Sequence, residues 1–206
     1  MSVLLGRRSA SARFMPSVYV VPGGGLSSVD RATSGFHEDL PEASGALDVA
    51  TERDLLPFAR AALRESFEET GSLLGEQGEG VSRGAPGAAS HWQAYRRHRL
   101  RPAFGRLHLI ARAITPAGSP IRYHTRFFMA DGSGLRRVGA GDGELEDIGW
   151  FPVDEALRGP MPEITVLVIG EALKRWQGAA AEHQAPLFYC RGDRILRRDG
   201  NGERGA

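Results

Sequence analysis

Residues 57–71, PFARAALRESFEETG, constrain this chain more than any other stretch. Ala59, Ala62, Leu63, Ser66, Phe67 and Thr70 recur at i, i+3, i+4, i+7, i+8 and i+11, so a helix here carries one apolar or small stripe. Such a stripe has to be covered by a second layer of structure. The helix is expected to start near Pro57, where a missing N–H costs nothing. It is expected to stop at Gly71, the usual left-handed residue past a helix end. Glu65, Glu68 and Glu69 fall on a different face at i, i+3 and i+4, and Arg64 is placed to pair with Glu68.

Like charges this close repel one another. One account is a solvated acidic face relieved by Arg60 and Arg64. The other is a hard divalent cation, Mg²⁺ or Mn²⁺, held by carboxylate oxygens. The upstream stretch VPGGGLSSVD, residues 21–30, favours the second. Its glycines end a strand and let a backbone carbonyl face a site without side-chain obstruction.

The remaining segments alternate between strand and helix patterns. VYVVPGGG (18–25) reads as a buried strand stopped by Pro22 and the glycines, and 31–52 as a loop with room for a short helix. Residues 75–90 are glycine-rich and read as a surface loop. HWQAYRRHRLRPAF (91–104) reads as a short basic helix before Pro102. Strands are expected at 106–114 and 121–130, and a strand running into a helix start at 144–157. An apolar-faced helix is expected at 163–176 and a hairpin around Gly192–Asp193. Helices interspersed among strands imply an α/β or α+β layered fold. One domain is expected over 1–198, with a disordered tail at 199–206.

Composition narrows the function classes. Lys+Arg 26 against Asp+Glu 25 leaves a net charge of +1, so nothing global points to nucleic acid or to an anionic membrane. No apolar run reaches the ~20 residues of a membrane span. The single cysteine, Cys190, excludes an internal disulfide framework and reads as a small buried group; a reducing, cytoplasmic location is expected. The N-terminal MSVLLGRRSASARFMP loosely resembles a transit peptide, but a strand followed by a basic loop accounts for it better. No His/Cys cluster has zinc spacing, and PGGG lacks the Lys-Ser/Thr of a phosphate loop.

The glycine turn and the acidic helix together resemble the Nudix hydrolase box, which reads Gly, five residues, Glu, seven residues, then Arg-Glu-aliphatic-x-Glu-Glu-x-Gly-aliphatic. Gly24 is followed after five residues by Asp30 in the place of that Glu, and Arg64, Glu65, Glu68, Glu69 and Gly71 match the second half. Ser66 and Ser72 stand at the aliphatic positions. Residues 31–63 number 33 where the box has seven, so a loop insertion is expected at about 31–56. Loop closure costs only the logarithm of length, so the two ends can still meet. An interrupted box is a feature of the branch that includes coenzyme A diphosphatases. LLGRRSASARFMPSVYVVPGGGLSSVD partly resembles the stretch before the box in that branch. The resemblance covers roughly 3–175 and implies an α/β/α sandwich with a mixed β-sheet between helices. Relatives carry a further strand before VLLGRR; the C-terminal hairpin or a partner subunit is a candidate to take its place.

The resemblance implies metal-dependent hydrolysis of the pyrophosphate of a nucleoside diphosphate linked to another group. Coenzyme A or an acyl-coenzyme A is the leading substrate; ADP-ribose or NADH-type substrates, or a nucleotide sensor without hydrolysis, are the alternatives. It makes Glu68, Glu69 and the Gly23 carbonyl ligands of Mg²⁺ or Mn²⁺, Glu65 a ligand or the general base, and Arg64 the residue that orients the glutamates. Asp30 would bind metal more distantly or hold the loop. Glu144 is preferred to Glu146 as a further ligand or base. Arg8 and Arg126 would contact phosphates, with surface ion pairs as the plainer account. Trp92 and Tyr95 read as helix packing, His124 as a hydrogen-bonded strand residue, and Arg96, Arg97, Arg99 and Arg101 as a solvated basic face. The partner is a small-molecule nucleoside diphosphate derivative, with a homodimer in keeping with the family.

Overall fold

The computed structural model describes residues 1–12, 14–32, 49–78, 90–115, 122–178, 185–192 and 194–199, except for the side chains of 49–54. Nearly all of the expected tail, most of the expected insertion and the glycine-rich stretch 79–89 lie outside these. The first half holds β1 (Ser2–Arg8), β2 (Tyr19–Val20), α1 (Ser28–Arg31), α2 (Val49–Thr70), β3 (Ser72–Gln77), α3 (Ser90–Arg97) and β4 (Leu100–Pro102). The second half holds β5 (His108–Ile114), β6 (His124–Met129), β7 (Leu135–Arg137), β8 (Leu145–Pro152), α4 (Val153–Ala156), α5 (Glu163–Trp176), β9 (Leu187–Arg191) and β10 (Arg194–Arg198).

The fold is α+β. Its strands form three sheets, ordered β2-β1-β8, β10-β9-β5-β6 and β4-β3-β7. The mixed character lies in the four-stranded sheet, where β5 and β9 run parallel and the other pairs antiparallel. Helices cover both of its faces. On α5, Val168 and Ala172 pack with Ile110, Ala111 and Phe188; on α2, Leu55 packs with Leu109 and Ala185. The register shift between Leu109 and Ala111 lets two successive residues, Ile110 and Ala111, both join the layer under α5, while Leu109 faces α2. Full burial of the larger of these, the valine, leucine, isoleucine and phenylalanine side chains, is worth about 1.5–3 kcal/mol each.

The C-terminal hairpin does not pair with β1. It extends the edge of β5, while β1 lies between β2 and β8. Arg197 on β10 anchors it to the mostly buried Glu171 of α5, which also holds Lys174. Cys190 on β9 is only partly buried.

Several expected boundaries move. Helix α2 starts at Val49 and passes through Pro57. One internal hydrogen bond is lost there, and the Leu55 contacts with Leu109 and Ala185 offset it. The strand expected at 18–25 is only Tyr19–Val20, because the chain from Val21 onward turns to meet α2. Residues 75–77 are strand and not loop: Gly75 lies where an added Cβ would stand 3.2 Å from both Leu100 and Tyr95, so its missing side chain lets α3 and β4 close over β3. Helix α3 ends at Arg97, and Arg99 adopts φ +52° before β4 begins. Trp92 and Tyr95 are core residues, and the Tyr95 hydroxyl donates to the Leu74 carbonyl. Among the described residues no helix is long and apolar enough to cross a membrane.

Candidate functional site

The last two turns of α2 carry Arg64, Glu65, Glu68 and Glu69, and Gly71 follows at φ +67° with its N–H on the Phe67 carbonyl. The stripe from Ala59 through Leu63 to Thr70 is buried, with Ala62, Ser66 and Phe67 partly so. Arg60 and Arg64 are buried as well, which a simple amphipathic helix would not predict.

Arg64 is the hub. Its Nε and Nη2 donate to the two oxygens of Asp30 at 3.0 and 2.9 Å, and Nη2 also donates to the Gly25 carbonyl at 2.7 Å. Its Nη1 pairs with Glu65 Oε1 at 2.7 Å and donates to Glu68 Oε2 at 2.9 Å. One planar guanidinium thus ties the glycine turn, α1 and the acids together, a task its rigid fork suits. Asp30 is 1% exposed and also accepts the Ser27 N–H at 2.7 Å, while its own carbonyl accepts from Arg60 at 3.0 Å. Of the two roles expected for Asp30, this is the loop-holding one.

The three glycines of the turn have separate duties. The Gly23 N–H donates to Glu69 Oε2 at 2.8 Å. A Cβ at Gly24 would stand 2.4 Å from the Glu65 carboxylate, so any larger residue there would displace that carboxylate from Arg64. Gly25 supplies the carbonyl held by Arg64.

Two of the acids depart from ordinary glutamate values. Burial pushes the Glu69 carboxyl up to about 8; the Gly23 N–H opposes this, and the charges of Glu65, Glu144 and Asp142 add to it. Burial also raises Glu65, against the pull of Arg64 and with Glu68 and Asp30 adding to the rise. A buried Glu69 with no cation on it among the described residues, next to a half-buried Glu65 that shares Arg64 with two other acids, is what a dication would relieve. The donors are all hard oxygens, which suits Mg²⁺ or Mn²⁺. Among the described residues no three acids or histidines stand together in ligating geometry: Arg64 draws Glu65 and Glu68, and Gly23 holds Glu69. These bonds engage one oxygen of each glutamate.

Arg8 reaches the same region, its Nη2 donating to Glu144 Oε1 at 3.2 Å. Glu146 pairs instead with Arg7 at 3.0 Å, so of the two acids it is Glu144 that bears on Glu69. Asp142 was not anticipated. It follows Gly139, Ala140 and Gly141, and only the fold brings its N–H onto the Glu68 carbonyl at 2.7 Å. Arg126 lies on β6 with its guanidinium 3.9 Å above the Phe58 ring and Nη1 on the His124 carbonyl. Phe58 precedes Arg64 by six residues of helix, about 9 Å along its axis. His124 is exposed on the same strand. Arg101 pairs with Glu76, and Arg97 and Arg99 are exposed.

No protein-family model matches the chain, and no curated protein matches it. Among solved structures it is similar to a NUDIX hydrolase from Alicyclobacillus acidocaldarius, at 26% identity over 89% of each chain with a TM-score of 0.63. The chain therefore has the fold of a Nudix hydrolase, and this likeness supports its placement in that family.

Proposed function

We propose that this protein is a metal-dependent pyrophosphohydrolase that adds water across the diphosphate of a nucleoside diphosphate linked to another group. The observation that carries the reading is the buried Glu69 carboxyl, met among the described residues only by a backbone N–H, beside the half-buried Glu65 and set under a glycine turn braced by Arg64. A neutral helix surface has no need of that arrangement.

Glu68, Glu69 and the Gly23 carbonyl would hold the cation, with Glu144 beside them. When bound, Mg²⁺ or Mn²⁺ supplies neutralisation of phosphate oxygens and acidification of water. Arg64 keeps the glutamates in place through Asp30 and Gly25. Glu65, raised by burial and pressed against Gly24, is suited to accept the proton of the attacking water. Arg8, held on Glu144, is the phosphate arm nearest the acids; Arg126 is a second basic group, one helix segment away.

Coenzyme A and acyl-coenzyme A are the first substrates to try, because the interrupted box and the LLGRRS stretch resemble that branch. The test is a panel of coenzyme A, acyl-coenzyme A, ADP-ribose, NADH and dinucleoside polyphosphates with Mg²⁺ or Mn²⁺, read by mass spectrometry of products. Glu68→Gln is expected to lower turnover of the accepted substrate by at least about 100-fold. Undiminished turnover in that variant at saturating metal would end the proposal.

A further inference from the structure

We infer that Gly141 is a positioning residue for this site and acts through Glu144; the inference rests on the reading just proposed. Residues 138–144, VGAGDGE, join β7 to β8 and lie across the C-terminus of α2. The N–H groups of Val138 and Gly139 donate to the Gly71 carbonyl at 2.8 and 3.2 Å, and that of Asp142 to the Glu68 carbonyl at 2.7 Å. A helix leaves its last carbonyls without internal donors, so this segment closes the end of α2 from outside.

Its seating depends on the absence of two side chains. A Cβ on Gly141 would stand 1.9 Å from the Glu69 carbonyl oxygen, and one on Gly71 would stand 2.2 Å from the Gly139 carbonyl oxygen. Ordinary contact begins at 3.4 Å, so an alanine in place of Gly141 would push the two backbones apart by about 1.5 Å. Beyond the contact the path to the carboxylate is short. Asp142 Oδ1 accepts the Glu144 N–H at 2.9 Å, Gly143 turns the chain at φ +91°, and Glu144 meets Arg8. Displacement at Gly141 is thereby carried to Glu144 and Arg8, while the Glu69 carboxylate has a separate tie, to the Gly23 N–H. Gly139 supplies the contrast: a Cβ there meets nothing within 4 Å, and its φ is not positive.

The test measures the Mn²⁺ dissociation constant by calorimetry, alongside kcat and KM, in Gly141→Ala, Gly139→Ala, Glu144→Gln and the Gly141→Ala/Glu144→Gln double variant. Gly141→Ala is expected to weaken Mn²⁺ binding about 10–100-fold, the usual cost of disturbing a group that orients a ligand. It is expected to lower kcat more than it raises KM, while Gly139→Ala stays within about twofold of the parent in all three constants. In the Glu144→Gln background, Gly141→Ala should add less than about twofold. Parental Mn²⁺ affinity in Gly141→Ala, or effects that multiply in the double variant, would overturn the inference. Should Gly141→Ala not fold, Asp142→Ala, which removes the acceptor of the Glu144 N–H, takes its place in the cycle with the same two outcomes. Glu69→Gln separates the levels. If the parent binds no Mn²⁺, the proposed function falls and this inference with it. If the parent binds Mn²⁺ and Glu69→Gln loses it while the cycle multiplies, the inference alone falls.

Discussion

Glu69→Gln should make the metal-free protein more stable at neutral pH while abolishing the proposed hydrolysis. The carboxyl rises from 4.5 in the unfolded chain to about 8 in the fold. An acid raised in this way favours folding at full strength below its unfolded value, and the contribution is lost as pH climbs through the folded value. Between pH 5 and 8 the unfolded chain has released a proton that the folded one keeps, so stability falls with rising pH. With a shift of about 3.5 units, the loss is about 3 kcal/mol by pH 7 and between about 4 and 5 kcal/mol by pH 8. Glutamine has no charge to bury, and its amide oxygen still accepts the Gly23 N–H now given to Glu69. Urea unfolding in EDTA at pH 5, 6.5 and 8 should therefore give diverging stabilities, nearly equal at pH 5 and several kcal/mol apart at pH 8. Mn²⁺ at 100 times its dissociation constant should return about 2.7 kcal/mol to the parent and none to the variant. Parallel pH profiles for the two proteins in EDTA would refute the claim that Glu69 is buried without adequate counter-charge.

The buried pair of Arg64 and Asp30 should behave as a unit. Removing either partner as Arg64→Ala or Asp30→Ala should cost about 3–5 kcal/mol in urea unfolding, and the double variant clearly less than the sum; additive losses would show the two do not depend on each other. His91 is 1% exposed, has no hydrogen-bond partner on either ring nitrogen among the described residues, and is pushed down to about 4 chiefly by burial, with the Arg64 charge adding and Asp30 opposing. A histidine lowered in this way stabilises the fold fully above its unfolded value of 6.5 and loses that contribution as pH falls through 4, about 3 kcal/mol in all. His91→Leu should flatten the acid limb of the stability profile over that window; an unchanged slope means the imidazole takes up its proton in the folded protein as readily as in the unfolded one.

What could be read from the residues alone was what local spacing determines. The acidic face of α2, Gly71 as its end, α5, the β8-to-α4 passage and the C-terminal hairpin all follow from periodicity and glycine placement within a dozen residues. The start of α2 was hidden because Pro57 is a good first residue in isolation, and only the distant partners of Leu55 extend the helix past it. Strand β3 was hidden because Gly75 looks like loop until Tyr95 and Leu100 are seen to occupy the space it leaves. The same holds at the site. Arg64, Glu65, Glu68 and Glu69 announce themselves by proximity in sequence, whereas Asp142 and Gly141 lie more than seventy residues away in a glycine-rich turn with no periodic pattern to tie them to the helix.

The charges explain why a helix end that looks unstable is worth keeping. Arg64 is a single cation facing Asp30, Glu65 and Glu68, and Asp30 takes two of its nitrogens. What remains balances Glu65 and Glu68 only in part, and Glu69 has a backbone N–H where a charge is wanted. The imbalance is local to one helical turn, so a cation placed there acts on all three glutamates at once. Ordinary surface acids would release little free energy on meeting Mg²⁺, since water already solvates them. A buried one held short of charge, as Glu69 is, would release more, so on the proposed reading affinity for Mg²⁺ or Mn²⁺ is tied to the stability given up without it. The glycine turn and the 138–144 segment close the site from two sides, and both do so through residues that a single methyl group would displace.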